Sequence, residues 1–272
     1  MESRQIAATS RSGTTASTLY IGCAGWSLPR AYHEEFPGEG SHLERYARIF
    51  PAVEINSSFY RPHRPDTYAR WRDAVPDDFR FSVKMPREMT HIRRLRECEA
   101  PMAAFMSEVG RLENKLGCLL VQLPPSLAYD ERAAERFFRM LYEYGDTPAA
   151  CEPRHFSWFL PEATALLDEL GIARVDADPS PVPAAGPEPE ASLAYVRLHG
   201  APEMYYSTYS VPVLERLANR LDDLQRRKHA VWCVFDNTAN GASIENSLYL
   251  MKARIGRFET QTAVRREAYG RA

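Results

Sequence analysis

The feature that most constrains this chain is a regular alternation of short apolar runs with helix-like stretches. The intervening stretches repeat apolar residues every three or four positions, which is the period of a helix with one buried face. Strands that alternate with helices form a parallel sheet covered by helices. We therefore predict an α/β fold, a single (β/α)8 TIM-like barrel, irregular in places and with long loops after its strands. The strand-like runs are 19–24, 52–55, 79–84, 116–123, 149–152, 172–176, 193–198 and 230–235.

A doubly wound open sheet is the alternative fold. Its phosphate-binding glycine loop is missing after the first run, where Gly22-Cys23-Ala24-Gly25 stands instead.

The length of 272 residues favours one domain, which we place at 18–260. Residues 1–17 are polar, lack the apolar core of a secretory signal and predict a flexible leader. Residues 261–272 predict a polar tail, and the segment 179–191, rich in Pro, Ala and Glu, predicts an exposed loop.

Composition and charge argue against several classes of protein. Hydrophobic residues make up 44% and charged residues 26% of the chain, which is typical of a globular rather than a disordered protein. The formal net charge of -2 gives no general attraction to nucleic acid or to an anionic membrane. No apolar run approaches the roughly 20 residues that span a bilayer. The five cysteines are scattered without a CxxC pair, which predicts free thiols in a reducing compartment and hence a cytoplasmic location.

Polar and aromatic residues follow nearly every predicted strand. In a parallel barrel all the carboxyl ends of the strands open on one face, where active sites form, so these residues are expected to meet. Some of these residues also have a structural explanation that competes with a functional one. Glu54 and Lys84 could form a buried ion pair, and the tryptophans could pack under loops. The residues of the set are Trp26, Glu54, Asn56, Lys84, His91, Gln122, Glu152, Arg154, His155, Trp158, Asp176, Arg197, His199, Asp236 and Asn237.

Arg197 and His199 carry the strongest signal, because residues two apart on a strand face the same side and a plain core needs no polar pair there. Arginine and lysine in this set favour an anion, bound through the planar fork of the guanidinium. Carboxylates and imidazoles then act as general acid and base. We assign catalysis to Glu54, Glu152, His155 and His199. We assign substrate binding to Trp26, Asn56, Lys84, His91, Gln122, Arg154, Trp158, Asp176, Arg197 and Asn237.

These assignments predict an enzyme that acts on a small anionic, phosphorylated or nucleotide-like substrate, by hydrolysis or isomerisation. No cofactor fingerprint is visible in the sequence. One alternative is a divalent-metal-dependent hydrolase with Glu152, Asp176, His199 and Asp236 as ligands, although no tight motif such as HExxH supports it. The other is a barrel that binds a ligand without turnover, with the basic connection 87–96 contacting a nucleic acid or an acidic protein.

Several motifs run in order from about Tyr20 to Ile255. They are Gly22-Cys23-Ala24-Gly25-Trp26, Val53-Glu54-Ile55-Asn56-Ser57-Ser58-Phe59-Tyr60, Phe81-Ser82-Val83-Lys84, Thr90-His91, Lys115-Leu116-Gly117, Gln122-Leu123-Pro124-Pro125, Glu152-Pro153-Arg154-His155, Arg197-Leu198-His199-Gly200 and Phe235-Asp236-Asn237. Through them the chain resembles the YecE-like family, domain of unknown function 72. The resemblance implies a TIM-barrel-like fold and no established activity. Cys23-Ala24 stands where the family pattern has Thr-Ser, and Asp236 where many relatives have Asn, which adds a carboxylate.

Overall fold

The computed structural model describes residues 17–182 and 189–254. The predicted leader, apart from Ser17, the predicted tail at 261–272 and the middle of the predicted loop at 179–191 lie outside the described residues.

Strands occupy all eight predicted positions, and the sixth of them is divided in two. Val175 separates the two short strands there, so the described residues contain nine strands. They are β1 (Thr18–Cys23), β2 (Ala52–Ile55), β3 (Arg80–Lys84), β4 (Leu116–Gln122), β5 (Ala149–Glu152), β6 (Ala173–Arg174), β7 (Asp176–Asp178), β8 (Leu193–Leu198) and β9 (Ala230–Phe235).

The strands form two parallel sheets rather than one continuous sheet. Their strand orders are β2-β3-β4-β5-β6 and β1-β9-β8-β7. Between β1 and β2, Ala24 and Glu54 form a single parallel bridge, and the Gly25 N–H donates to the Glu54 carbonyl at 2.9 Å. Val175, which lies between β6 and β7 in the chain, donates its N–H to the carbonyl of Cys151 on β5 at 2.8 Å. The α/β class and the parallel pairing of the prediction are confirmed.

Helices follow the strands as the apolar periodicity predicts. Ser41 and Glu44 form a capping box that starts the first helix, and the side chain of Asp130 accepts from the Ala133 N–H at 2.9 Å to start the fourth. No helix in the described part of the chain is long and apolar enough to cross a membrane. The helices are α1 (His42–Ala47), α2 (Pro65–Asp73), α3 (Glu99–Val109), α4 (Glu131–Tyr142), α5 (Pro161–Glu169), α6 (Val211–Arg227) and α7, which covers 242–254.

Buried apolar side chains pack in three clusters. Two of them join the sheets to the helices, while the third contains residues from both sheets, including Leu120, Tyr195 and Trp232. Gly117 is required beside this third cluster, because a Cβ there would lie 2.7 Å from the Trp232 ring. Side chains alternate along a strand, so the face of β8 that carries Tyr195 next carries Arg197. Strand faces that are apolar at their amino ends therefore become charged at their carboxyl ends.

Candidate functional site

Arg197 of β8 lies at the centre of the charged cluster, fully buried and bound by three carboxylates. Its Nε and Nη2 donate to the two carboxylate oxygens of Glu54 at 3.0 and 2.7 Å. Its Nη1 donates to Glu152 Oε2 at 3.0 Å, and Nη2 also lies 3.0 Å from Asp236 Oδ2. Burial by itself lowers the pKa of Arg197, but Asp236, Glu54 and Glu152 outweigh it and raise that pKa well above its usual value. Arg197 is thus permanently charged and saturated by protein ligands.

His199, two residues along the same strand face, is held between two of these carboxylates. Its Nδ1 lies 3.0 Å from Asp236 Oδ2 and its Nε2 lies 2.9 Å from Glu152 Oε1. Burial lowers the pKa of His199, but the hydrogen bonds to Asp236 and Glu152 outweigh burial and raise the pKa above its usual value. An imidazolium satisfies both contacts, because it donates from both ring nitrogens.

Arg154 adds a competing contact at the same ring nitrogen. Its Nη2 lies 2.8 Å from His199 Nε2 and also donates to Glu152 Oε1. If Nε2 carries a proton it donates to Glu152, and if it does not it accepts from Arg154. The proton on Nε2 can therefore leave or arrive while the ring keeps a hydrogen-bond partner in both states, whereas the proton on Nδ1 is held by Asp236.

Glu152 and Asp236 stay ionised despite being buried. Burial raises the pKa of Glu152, but the charge of Arg197 and the hydrogen bond from His199 outweigh burial and hold this pKa well below its usual value. The pKa of Asp236 is lowered in the same way: burial opposes the shift, and Arg197 and His199 produce it. Neither side chain therefore competes with His199 for a proton near neutral pH.

Lys84, the last residue of β3, is a further buried cation beside the cluster. The residue is 5% exposed, and its Nζ lies 4.2 Å from the centroid of the Phe59 ring. Within 17–182 and 189–254 the structure gives this Nζ no hydrogen bond. Burial and then the charge of Arg197 lower the pKa of Lys84 to about 8, although Glu54, Asp236 and Glu152 act in the opposite direction. An amine in this state takes and gives protons near neutral pH.

Other predicted residues lie beside the cluster. Gln122 is paired in register with Glu152, and its side-chain oxygen is buried without a partner among the described residues. The ring of His91 lies 4.9 Å from that of Phe59, and burial together with the charge of Lys84 lowers its pKa. Asn237 donates to the Ser207 carbonyl at 2.9 Å and keeps an unpaired buried oxygen within the described part of the molecule. Gln122 is thus next to Glu152 in register, and Asn237 next to Asp236 in sequence.

A second pair of predicted residues lines an open pocket of about 420 Å³ at the end of β1. Trp26 and Asn56 contribute to this pocket together with Ser57 and His42. The Trp26 ring packs edge-on against Trp71 at 4.9 Å. The lining of this pocket does not include Arg197, His199 or Glu152 of the charged cluster.

Three predicted residues are not brought to the cluster by the contacts that the structure shows. His155 Nδ1 pairs with Ser157 Oγ at 2.8 Å, and the ring packs on Phe156. Trp158 is buried in the core, where its Nε1 donates to the Leu127 carbonyl at 3.0 Å. Asp176 forms an ion pair with Arg220 of α6, on the helix side of the sheet. In the described residues, no group of three or more His, Cys, Asp and Glu side chains is arranged to hold a metal ion.

Tyr195 and Tyr205 belong to the site although the sequence did not single them out. The Tyr195 hydroxyl donates to Glu54 Oε2 at 2.9 Å and lies 2.9 Å from Ser82 Oγ. Tyr205 places its ring edge-on to His199 at 5.8 Å, on a loop that is partly exposed. Strand alternation could have found Tyr195, since it lies two residues before Arg197. No periodic signal marks Tyr205, because it lies in a loop.

Known proteins of similar sequence have no established activity. A family model described as "Protein of unknown function DUF72" matches residues 20–267. The UPF0759 protein YecE of Escherichia coli K12 is 33% identical over 178 residues, which cover 64% of each chain, so the match spans just under two thirds of that relative. The UPF0759 protein YunF of Bacillus subtilis is 25% identical over 264 residues, which cover 86% of this chain and 94% of that protein.

Solved structures of similar fold carry the same family description. A DUF72 family protein from Thermotoga maritima superposes with a TM-score of 0.72 at 26% identity, covering 86% of this chain and 98% of that chain. A DUF72 family protein from Enterococcus faecalis gives a TM-score of 0.70 at 23% identity, covering 86% and 94% respectively, and supports the fold alone.

Proposed function

The chain belongs to the DUF72 family, and from the geometry of its buried cluster we propose that it is an enzyme that acts on a small anionic substrate by general acid/base chemistry. The observation that carries this proposal is the pair of contacts at His199 Nε2, one to Glu152 and one to Arg154, which require opposite protonation states. A group that exchanges a proton without losing its hydrogen bonds meets the requirement for a general acid and base.

Charge balance supports an anionic substrate. Three carboxylates, Glu54, Glu152 and Asp236, meet two permanent cations, Arg154 and Arg197. They also meet Lys84, which is mostly protonated at pH 7. Protonation of His199 then adds an uncompensated positive charge, which an anionic group of the substrate would neutralise.

The cations differ in their capacity to bind that group. Arg197 is saturated by protein carboxylates, so in this proposal it positions Glu54 and Glu152 rather than binding substrate. Arg154 keeps a buried Nε that has no partner in the described residues, and Lys84 keeps its whole ammonium group unpaired there. These two side chains are the proposed anion ligands, and a phosphate or carboxylate suits them.

The single (β/α)8 barrel is part of the proposal. The bridge between Ala24 and Glu54 and the bond from the Val175 N–H to Cys151 are contacts that a closed ring of the two sheets would require. Closure would bring Glu54 of β2 and Arg197 of β8 to the same mouth, consistent with their bidentate pairing.

Anion binding tests the first part of the proposal. Inorganic phosphate is expected to raise the melting temperature of the wild-type protein, because a ligand that binds the folded state stabilises it. The shift should fall in Arg154→Gln and stay unchanged in Arg132→Gln, which removes an exposed arginine of α4. Equal shifts in the two variants, or none in the wild type, would contradict the assignment.

Turnover tests the second part. A panel of small phosphorylated and carboxylated compounds is incubated with the protein, and products are followed by mass spectrometry. Any activity found should vary with pH as His199 titrates and should fall by at least about 100-fold in His199→Gln, the scale of a lost general acid or base. Activity that persists in this variant would show that His199 is not the proton-transfer group.

A further inference from the structure

Lys84 differs from the other lysines of the chain in a way that suggests covalent chemistry. We propose that Lys84 is the nucleophile of this site and forms a Schiff base with a small aldehyde or ketone that carries an anionic group. This inference rests on the proposed function and specifies its substrate class. Schiff-base formation does not follow from anion binding, because a positive charge on Lys84 is enough to bind an anion without a covalent bond.

The chain has four lysines, and the other three have partners for their ammonium groups. Lys115 donates to the carbonyls of Arg72 and Val75, and Lys228 donates to the Ala191 carbonyl at 2.7 Å. Lys252 is exposed and pairs with Glu35 at 3.0 Å. Lys84 has the face of Phe59 and no hydrogen bond among the described residues, so no acceptor there holds its protons directly. Reactive lysines of this kind are desolvated beside other cations.

The groups around Lys84 come from several elements. Arg197 of β8 disfavours the ammonium form, and His91 follows on the loop after β3. Glu54 of β2, Glu152 of β5 and Asp236 after β9 favour a positive charge at the same place. A neutral amine thus forms readily near pH 8, and the three carboxylates would stabilise the iminium cation that replaces it.

The proposed step balances with the groups present. The neutral Nζ attacks the carbonyl carbon, a C–N bond forms, and the carbonyl oxygen takes a proton as the nitrogen releases one. The resulting hydroxyl takes a second proton and leaves as water, which gives a protonated C=N bond. One proton is consumed overall, and His199, which shares Asp236 with Lys84 as a neighbour, is the proposed donor. Arg154 would hold the anionic group of the substrate.

Reductive trapping tests the proposal. The full chain is incubated at pH 8 with glyoxylate and sodium cyanoborohydride, and the modified lysines are identified by peptide mass spectrometry. At this pH an amine with a pKa of about 8 has roughly 100 times more neutral form than an ordinary lysine. Lys84 should therefore be modified at least about tenfold faster than exposed Lys252, and buried Lys115 should stay unmodified. Modification of Lys252 with Lys84 untouched would overturn the proposal.

Two controls separate this inference from the proposed function. Acetaldehyde, a neutral probe of similar size, should be trapped at Lys84 more slowly than glyoxylate, and Arg154→Gln should remove most of that difference. Lys84→Arg keeps the positive charge without the nucleophile, so total incorporation of glyoxylate should fall while Lys252 is still trapped at its slow rate. If Lys84 is not trapped while phosphate binding depends on Arg154, the Schiff base is wrong and the proposed anion site stands. If phosphate has no effect while Lys84 is trapped by glyoxylate and acetaldehyde alike, the nucleophile stands and the anion site is wrong.

Discussion

Lys84 and Lys115 are both buried, yet their surroundings are opposite. Lys115 precedes β4 at its amino end, and its Nζ donates to the carbonyls of Arg72 and Val75 at 2.9 and 2.7 Å. Lys84 ends β3 at its carboxyl end and contacts an aromatic face without a hydrogen bond in the described residues. A buried cation is costly unless it is paired, so the chain satisfies this requirement at one end of the sheet and leaves it unmet at the other. This contrast supports the proposal that the carboxyl end of the sheet carries the chemistry, while the amino end contributes to stability.

The largest expected effect comes from Arg197, which joins the carboxylates around Lys84. Arg197→Met would leave Glu54, Glu152 and Asp236 buried without their shared cation. We expect the free energy of unfolding to fall by about 3–5 kcal/mol, measured by urea denaturation. A loss below about 1 kcal/mol would show that the carboxylates find other partners.

The next largest expected effect is a loss of stability when Lys115 is replaced. Lys115→Met removes the ammonium group that donates to the carbonyls of Arg72 and Val75. Each buried acceptor left unsatisfied costs about 1–3 kcal/mol, so urea denaturation should show a loss of about 2–4 kcal/mol. Unchanged stability would remove the contrast between the two lysines.

For Lys84 we expect the opposite effect, a gain in stability when the residue is replaced. Its pKa is about 8 in the folded protein, below the ordinary 10.5, so the unfolded chain binds this proton more tightly. The folded state therefore gains stability as pH rises from about 8 to 10.5. At pH 7 Lys84→Met should raise the free energy of unfolding by about 1–3 kcal/mol, and this advantage should shrink over that pH range. A destabilised variant at pH 7 would contradict the pKa shift.

The smallest expected effect is the pH dependence due to His199. Its pKa is raised in the folded state by Asp236 and Glu152, so its contribution to stability is complete below about pH 6.5 and is lost as pH rises through the folded pKa. The difference in free energy of unfolding between the wild type and His199→Gln should accordingly shrink above pH 6.5. A difference that widens with pH would mean that the ring is neutral in the folded protein.

The alternation of side chains along a strand predicted much of the site. Applied to every strand, the same rule would also have predicted that Asp176 lies outside it. Glu54, Glu152 and Arg197 share strand faces with the apolar residues Ala52, Ala150 and Tyr195. By the same rule Asp176 faces away from the third apolar cluster, because Ala173, Val175 and Ala177, which lie around it in the chain, belong to that cluster. Asp176 accordingly meets Arg220 on α6, although it ends a predicted strand as the other candidates do. Alternation stops at Pro153, so the orientation of His155 depends on the turn that follows.

The sequence by itself determined the alternation of strands and helices and the parallel pairing of the strands. It also determined that one face of a strand carries apolar residues first and charged residues at its carboxyl end. These features depend on local periodicity and on the chirality of short connections. Only the tertiary structure decided that Arg197 is saturated and Lys84 is not. That outcome depends on distances between β2, β5 and β8, which are not neighbours in either sheet, and on how many acceptors reach each buried cation. Desolvation and pairing act through space, so the chemical state of Lys84 is a property of the assembled site rather than of its motif.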